Sequence, residues 1–140
     1  MSVTKVSLAS FVDTLSDIVE KYGQAVEDEV SNEIAKEGRK TAKELRQASP
    51  RSAKMPMSGE YASGWMCSVK KQAFYSEIVV HNRHAGMPHL LENGHAIANQ
   101  AGYLGGSVEG KPHVSVAQNN LNARVPEAIK RALEKAQREV

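Results

Sequence analysis

Polar and apolar positions divide the chain into three zones. From about Ser7 to Gln47 there is no proline, and Gly23 and Gly38 are the only glycines, a composition that predicts helix throughout. Leu8, Phe11, Val12, Leu15, Ile18, Val19 and Tyr22 recur at three- and four-residue steps and form one apolar stripe. Beyond Tyr22 the steps lengthen to four, through Val26, Val30, Ile34, Gly38 and Ala42. Each such step over-rotates by about 40° on an α-helix, so this second stripe winds round the axis. One flat partner cannot cover both stripes of a straight helix. Either the helix breaks near Gly23, as a hairpin or a bent helix, or its two halves face different partners, one of them a neighbouring subunit. The small residues Ala35, Gly38 and Ala42 allow another element to approach closely.

Ser49-Pro50 stops the helix, because proline disfavours helical geometry in the residue before it. Residues 49–60, with Arg51, Lys54 and Pro56, are expected to form an exposed, basic, mobile loop. The second zone, Tyr61 to Asn82, changes to a period of two. Tyr61, Ser63, Trp65, Cys67 and Val69 would share one face of a strand, although a helical turn between Gly59 and Met66 stays open as an alternative. After Lys70-Lys71-Gln72 a second run, Phe74 to His81, is rich in β-branched and aromatic residues, and the short polar link predicts an antiparallel hairpin.

The third zone opens with a short helix over 88–93, started by Pro88 and stopped by Gly94. His95 to Ala98 adds a strand, and Gly102 to Gly110 reads as a glycine-rich loop. A final helix occupies 114–140, with Leu121, Val125, Ile129, Leu133 and Ala136 inward and a kink or restart at Pro126. The result is one α+β domain over 1–140. It has a long N-terminal helical region (1–48), a small antiparallel β-sheet region (61–113) and a C-terminal helix packed on the sheet.

Composition narrows the chemistry. A formal charge of +2 is too small to demand a polyanionic partner, and the single cysteine, Cys67, excludes an internal disulfide. No stretch reaches the apolar length of a membrane span, and the amino terminus lacks the apolar core of a signal peptide. The expectation is therefore a soluble protein that stays where it is made, with no membrane partner.

Five histidines, His81, His84, His89, His95 and His113, fall within a third of the chain. The first four are the candidates for a metal, but none of the usual zinc spacings is present and Cys67 lies outside the cluster. Ser107, Glu109 and His113 lie close in sequence without a nucleophile-elbow pattern, and the glycine-rich stretch lacks the Gly-Lys-Ser/Thr ending of a phosphate loop. No cofactor and no catalysis are expected. Glu92, among apolar neighbours, suits a salt bridge or bonds from backbone N–H groups. Lys36, Arg39, Lys40, Lys43 and Arg46 put positive charge at the end of the first helical region, as the helix dipole favours. The same cluster, with Arg51 and Lys54, is where a DNA backbone would be held if the chain contacted DNA in packaging or head closure.

The order of features resembles that of the tail-component proteins of long-tailed bacteriophages and prophages, counted among the neck or tail-completion proteins. The resemblance runs through a long helical region ending in Ser49-Pro50, then Ser58-Gly59-Glu60-Tyr61-Ala62-Ser63-Gly64-Trp65, then a valine-rich strand ending in Val79-Val80-His81-Asn82. It continues through His89-Leu90-Leu91-Glu92-Asn93-Gly94-His95 and closes on Gly110-Lys111-Pro112-His113-Val114. This chain departs from the family in a longer 50–59 interval and in having His84-Ala85-Gly86-Met87 where aromatic residues are usual.

The resemblance implies a virion protein assembled in the bacterial host cytoplasm, which joins tail to head as a subunit of a hexameric ring and can be monomeric before it docks. Implied partners are other copies of itself and the adjoining head-completion and tail-terminator or tail-tube proteins, with DNA only as passing cargo. Val26, Val30, Ile34, Arg51, Lys54, Leu91, Glu92, His95 and His113 are the candidate interface residues.

Overall fold

A computed structural model describes residues 7–51, 59–72, 75–99 and 102–139, with the backbone alone at 97–99, 103 and 104. The order is α1 (Leu8–Ala48), α2 (Glu60–Ser63), β1 (Trp65–Gln72), β2 (Tyr75–Asn82), α3 (Met87–Asn93), β3 (Gly94–Asn99), β4 (Gly102–Glu109) and α4 (Val114–Arg138). The architecture is α+β, as the alternation of patterns predicts. No helix among the described residues is long and apolar enough to cross a membrane.

α1 runs unbroken for 41 residues. Ser7 caps it by accepting from the Ser10 N–H at 3.2 Å, and Ser49 leaves helical geometry just before Pro50. Gly23 does not break it: one glycine costs about 1 kcal/mol relative to alanine, which a long cooperative helix absorbs. The two halves instead have different surroundings. The first stands exposed, whereas the second buries Ala35, Ala42 and Leu45.

Two helices and a hairpin meet along that second half. A Cβ on Gly38 would lie 2.5 Å from Ile78 Cγ2 and 2.8 Å from Cys67 Sγ, so the hairpin sits directly against α1 at this glycine. On another side α4 packs along α1, presenting Ala117, Ala128, Ala132 and Ala136, all essentially inaccessible to solvent. The expected inward residues Ile129 and Leu133 lie at the edge of the contact, 37% and 38% exposed, and Leu121 and Val125 are half-buried. Small side chains win the contact because α1 offers acids there, not apolar residues. Glu33 and Glu37 are buried on α1; Lys135 and Arg131 pair with Glu33, and Arg131 and Arg124 with Glu37. Arg124 also donates to the Thr41 hydroxyl at 2.9 Å. Pro126 lies inside α4 without interrupting it.

β1 and β2 form the expected antiparallel hairpin, registered Trp65 to Asn82 through Gln72 to Tyr75. Tyr61 and Ser63 are not on its face; they belong to the single turn α2, entered from Gly59 at φ 110°. The second correction concerns the glycine-rich stretch. Gly102–Glu109 is a strand, β4, paired antiparallel with β3 in a separate two-stranded sheet with a register shift between Ala96 and Ala98. Gly102, Gly105 and Gly106 adopt positive φ within it, conformations that an irregular strand uses and other residues resist. The core is small: Leu45, Tyr61, Trp65 and Ala117, with Val80, Met87, Leu91 and Val114 packed round it. The C-terminal helix thus packs along α1 and not chiefly on the sheet, and it joins this core through Val114 and Ala117 in its first turn.

Gly38→Val tests the close approach of hairpin to helix. Overpacking costs typically ~1–3 kcal/mol, and the urea midpoint is expected to fall by a corresponding amount with unchanged helical circular dichroism. An unchanged midpoint would show that the hairpin can move away freely.

Candidate functional site

α4 begins without a cap of its own. Its N-cap residue, His113, makes no side-chain bond to the helix. The acceptor comes from α3: Glu92 Oε2 receives the N–H groups of His113 and Val114 at 2.6 and 2.8 Å, and Oε1 receives that of Ser115 at 2.9 Å. Burial raises the Glu92 pKa, but the Ser115 hydroxyl and these backbone N–H groups outweigh it and hold the carboxyl at about 2.

Hairpin β3–β4 is what brings the two ends together. Its register pairs Gly94 with Glu109, so the chain leaves α3 and returns to the same place. Lys111 N–H then donates to Leu91 C=O at 2.7 Å. The backbones touch so closely that a Cβ on Gly94 would collide with Val108 O, and one on Gly110 would lie 2.6 Å from Glu92 O. Glycine is required at both places by sterics.

Beneath this clamp lies a buried aromatic group. Tyr61 and Trp65 meet edge to face at 5.9 Å between ring centres, and His113 closes the triangle at 5.6 and 6.3 Å. His113 Nδ1 faces Lys111 C=O at 2.7 Å and Glu92 Oε2 at 3.2 Å, both acceptors, so Nδ1 carries a proton; in the neutral ring Nε2 then accepts from the Tyr61 hydroxyl at 2.6 Å. Burial, with the Glu92 charge nearby, pushes the Tyr61 pKa up to about 12. Trp65 Nε1–H donates to Ser49 Oγ at 2.7 Å, Asn82 donates to Tyr61 C=O at 2.8 Å, and Arg46 donates twice to Trp65 C=O. Every buried side-chain polar atom among the described residues is bonded.

The remaining expected residues fall in varied places. Val26, Val30 and Ile34 are half-buried and line a cleft of about 250 Å³ beside Tyr75. Arg51 is exposed and donates to Arg46 C=O; Lys54 lies outside the described residues. Leu91 packs on the core, whereas Leu90 is more exposed. Glu92 and His113 were expected to face a partner, but their polar atoms are committed inside the fold.

The four metal candidates sit apart. His81 on β2 bonds Ser68, His84 lies in the following turn, His89 on α3 bonds Asn93, and His95 is exposed on β3. No three His, Cys, Asp or Glu side chains converge among the described residues. The basic cluster is partly committed as well, with Lys36 on Glu33, Lys40 on Glu37 and Arg46 on Trp65.

Further clefts lie among the described residues. The one beside Trp65 and Val80, about 240 Å³, is below the ~300–1,000 Å³ of usual small-molecule sites. One of about 330 Å³ lies between Arg39, Arg46 and Cys67. Another, about 620 Å³, is an open groove whose Lys36 and Lys135 bind Glu33 and whose Lys71 binds Asp28.

The pattern reading missed Tyr61, Asn82 and Ser49 as members of the buried network. Polar residues beside Trp65 were the only available signal. Comparison with family models, with curated proteins and with solved structures finds no match to this chain.

Glu92 and Glu33, both held at about 2 against an ordinary value of 4.5, set the acid response. The unfolded chain binds protons at higher pH than the folded one. The stabilisation is therefore complete above about pH 4.5 and is lost as pH falls toward 2. Thermal unfolding followed across this window should show a falling midpoint, with a shallower fall for Glu92→Gln; an equal fall would remove Glu92 from this role. At neutral pH the same variant should lose ~1.5–3 kcal/mol, the usual worth of hydrogen bonds to a charged group. Tyr61→Phe leaves His113 Nε2 buried without its donor, and a loss of ~1–3 kcal/mol in denaturant unfolding is expected.

Proposed function

We propose that this chain is a structural, non-catalytic subunit of a bacteriophage or prophage neck. It would complete the tail or join it to the filled head as one member of a ring. Its partners would be other copies of itself and the head-completion and tail proteins on either side. DNA would pass through the ring without being read, and the protein would end in the virion.

One observation carries the reading most directly. The two motifs behind the family resemblance, His89 to His95 and Gly110 to Val114, are a single physical unit in which Glu92 caps α4 and Gly94 and Gly110 lie backbone to backbone. Motif residues that serve the fold in this way suit a family defined by shape and assembly more than by a reaction. The exposed residues left over agree: Leu8, Phe11, Leu15 and Ile18 form an apolar surface, the type that marks contact with another protein. A ring also needs two different faces on each subunit, because its contacts are head to tail.

Deletion of the gene from the phage or prophage that carries it tests the proposal. Electron microscopy of induced lysates should find DNA-filled heads and complete tails that remain separate, with joining restored by adding the purified protein. Infectious, joined particles from the deletion strain would exclude the role.

A further inference from the structure

We infer that the first half of α1 is a self-association arm, whose apolar stripe packs between the matching stripes of two neighbouring copies and so closes an assembly larger than a dimer. The inference deepens the proposed ring and rests on that reading for its setting. The argument for the surface itself comes from the arm.

The arm projects. The far end of α4 reaches α1 near Glu29, whose carboxylate lies close enough to Glu139 to raise its pKa, and residues 8–24 continue about 25 Å beyond at ~1.5 Å per residue. All of Ser7 to Lys21 is exposed. Its own propensity is modest: Ser10, Val12, Thr14, Ser16 and Val19 are mediocre or poor helix formers, so this end of α1 relies on propagation from the packed half and gains further from any contact along its apolar stripe.

Spacing says what fits. Leu8, Phe11, Leu15, Ile18 and Tyr22 follow each other at steps of three and four, the a and d positions of a coiled coil, and Val12 and Val19 fill e. A stripe three positions wide exceeds the two-position seam of a simple pair and can contact two helices. Leucine at a with isoleucine at d, as in Leu15 and Ile18, likewise favours assemblies above the dimer.

Charge favours a second copy as the occupant. Asp13, Asp17 and Glu20 all fall on the outer c and f positions, so identical arms can meet without bringing these acids together. The area is adequate as well. Six apolar residues that are 48–79% exposed match or exceed the ~300–600 Å² of the largest patch on a typical monomer. Continuing into half-buried Tyr22 and Val26, the whole stripe approaches the ~800 Å² that one partner gives to a standard interface, here divided between two neighbours.

The test is the mass of the full chain in solution, by size-exclusion chromatography with light scattering over a range of concentrations. The wild type and an outer-face control, Asp17→Lys, should both form a species heavier than a dimer. The double variant Leu15→Glu, Ile18→Glu should be monomeric, with the thermal unfolding of the body unchanged. A wild type that stays monomeric or stops at a dimer overturns the inference, as does an assembly that survives in the double variant. Should that variant fail to fold, hydrogen exchange on the unaltered chain decides. Protection of residues 8–22 that rises with concentration supports the arm, and exchange independent of concentration overturns it. A monomer in solution would leave the neck role to be judged by particle joining, and infectious deletion mutants would leave the mass measurement standing.

Discussion

The carboxylate of Glu92 accepts three consecutive backbone N–H groups from the start of α4, and the second half of the molecule is arranged round that contact. Those donors have no partner within the helix, and a helix N-terminus attracts negative charge. One side chain from α3 meets both needs, which fixes where α4 starts and in which direction it leaves. The clamp also roofs the buried group of Tyr61, Trp65 and His113, joining the end of α1 to the start of α4 through Ser49, Trp65 and Tyr61.

From that fixed start, α4 runs back along α1 over a seam that is polar where a core would be expected. Glu33 and Glu37 are buried, and their charges are met by Lys135, Arg131 and Arg124 across alanines. Burying acids costs desolvation, which close and multiple pairing offsets. The pairs fix register: acids at 33 and 37 face cations at 124, 131 and 135 in antiparallel order, and a slip of one turn would leave buried charge unmatched. The seam therefore contributes specificity, and the apolar cluster at Leu45, Tyr61 and Trp65 contributes most of the hydrophobic stabilisation.

These two devices divide the molecule by role. Residues from about Ala25 onward hold one another, and the histidines and glutamate that could have served chemistry are separated or engaged in internal bonds. The arm before Ala25 is exposed almost throughout. Under the proposed function, its leucines, phenylalanine and isoleucine are a surface for other chains.

Local pattern alone determined the elements whose signals are local. The helical region before Pro50, its stop there, the β1–β2 hairpin and the short helix between Pro88 and Gly94 follow from period, proline and glycine, because each is set by contacts a few residues apart; that the first region is one unbroken helix does not. The tertiary structure decided what depends on distant partners. β4 is a strand only because β3 lies beside it, and its glycines give no pattern of their own. Tyr61 is a core residue in a helical turn because His113, far along the chain, bonds it. Alanines, not Ile129 and Leu133, face inward on α4 because buried glutamates on α1 require cations nearby and little bulk between the helices. Sequence could show Glu92 as a carboxylate among apolar residues, suited to a salt bridge or to backbone N–H groups. Only the folded chain could choose between these, by bringing the first turn of another helix to it.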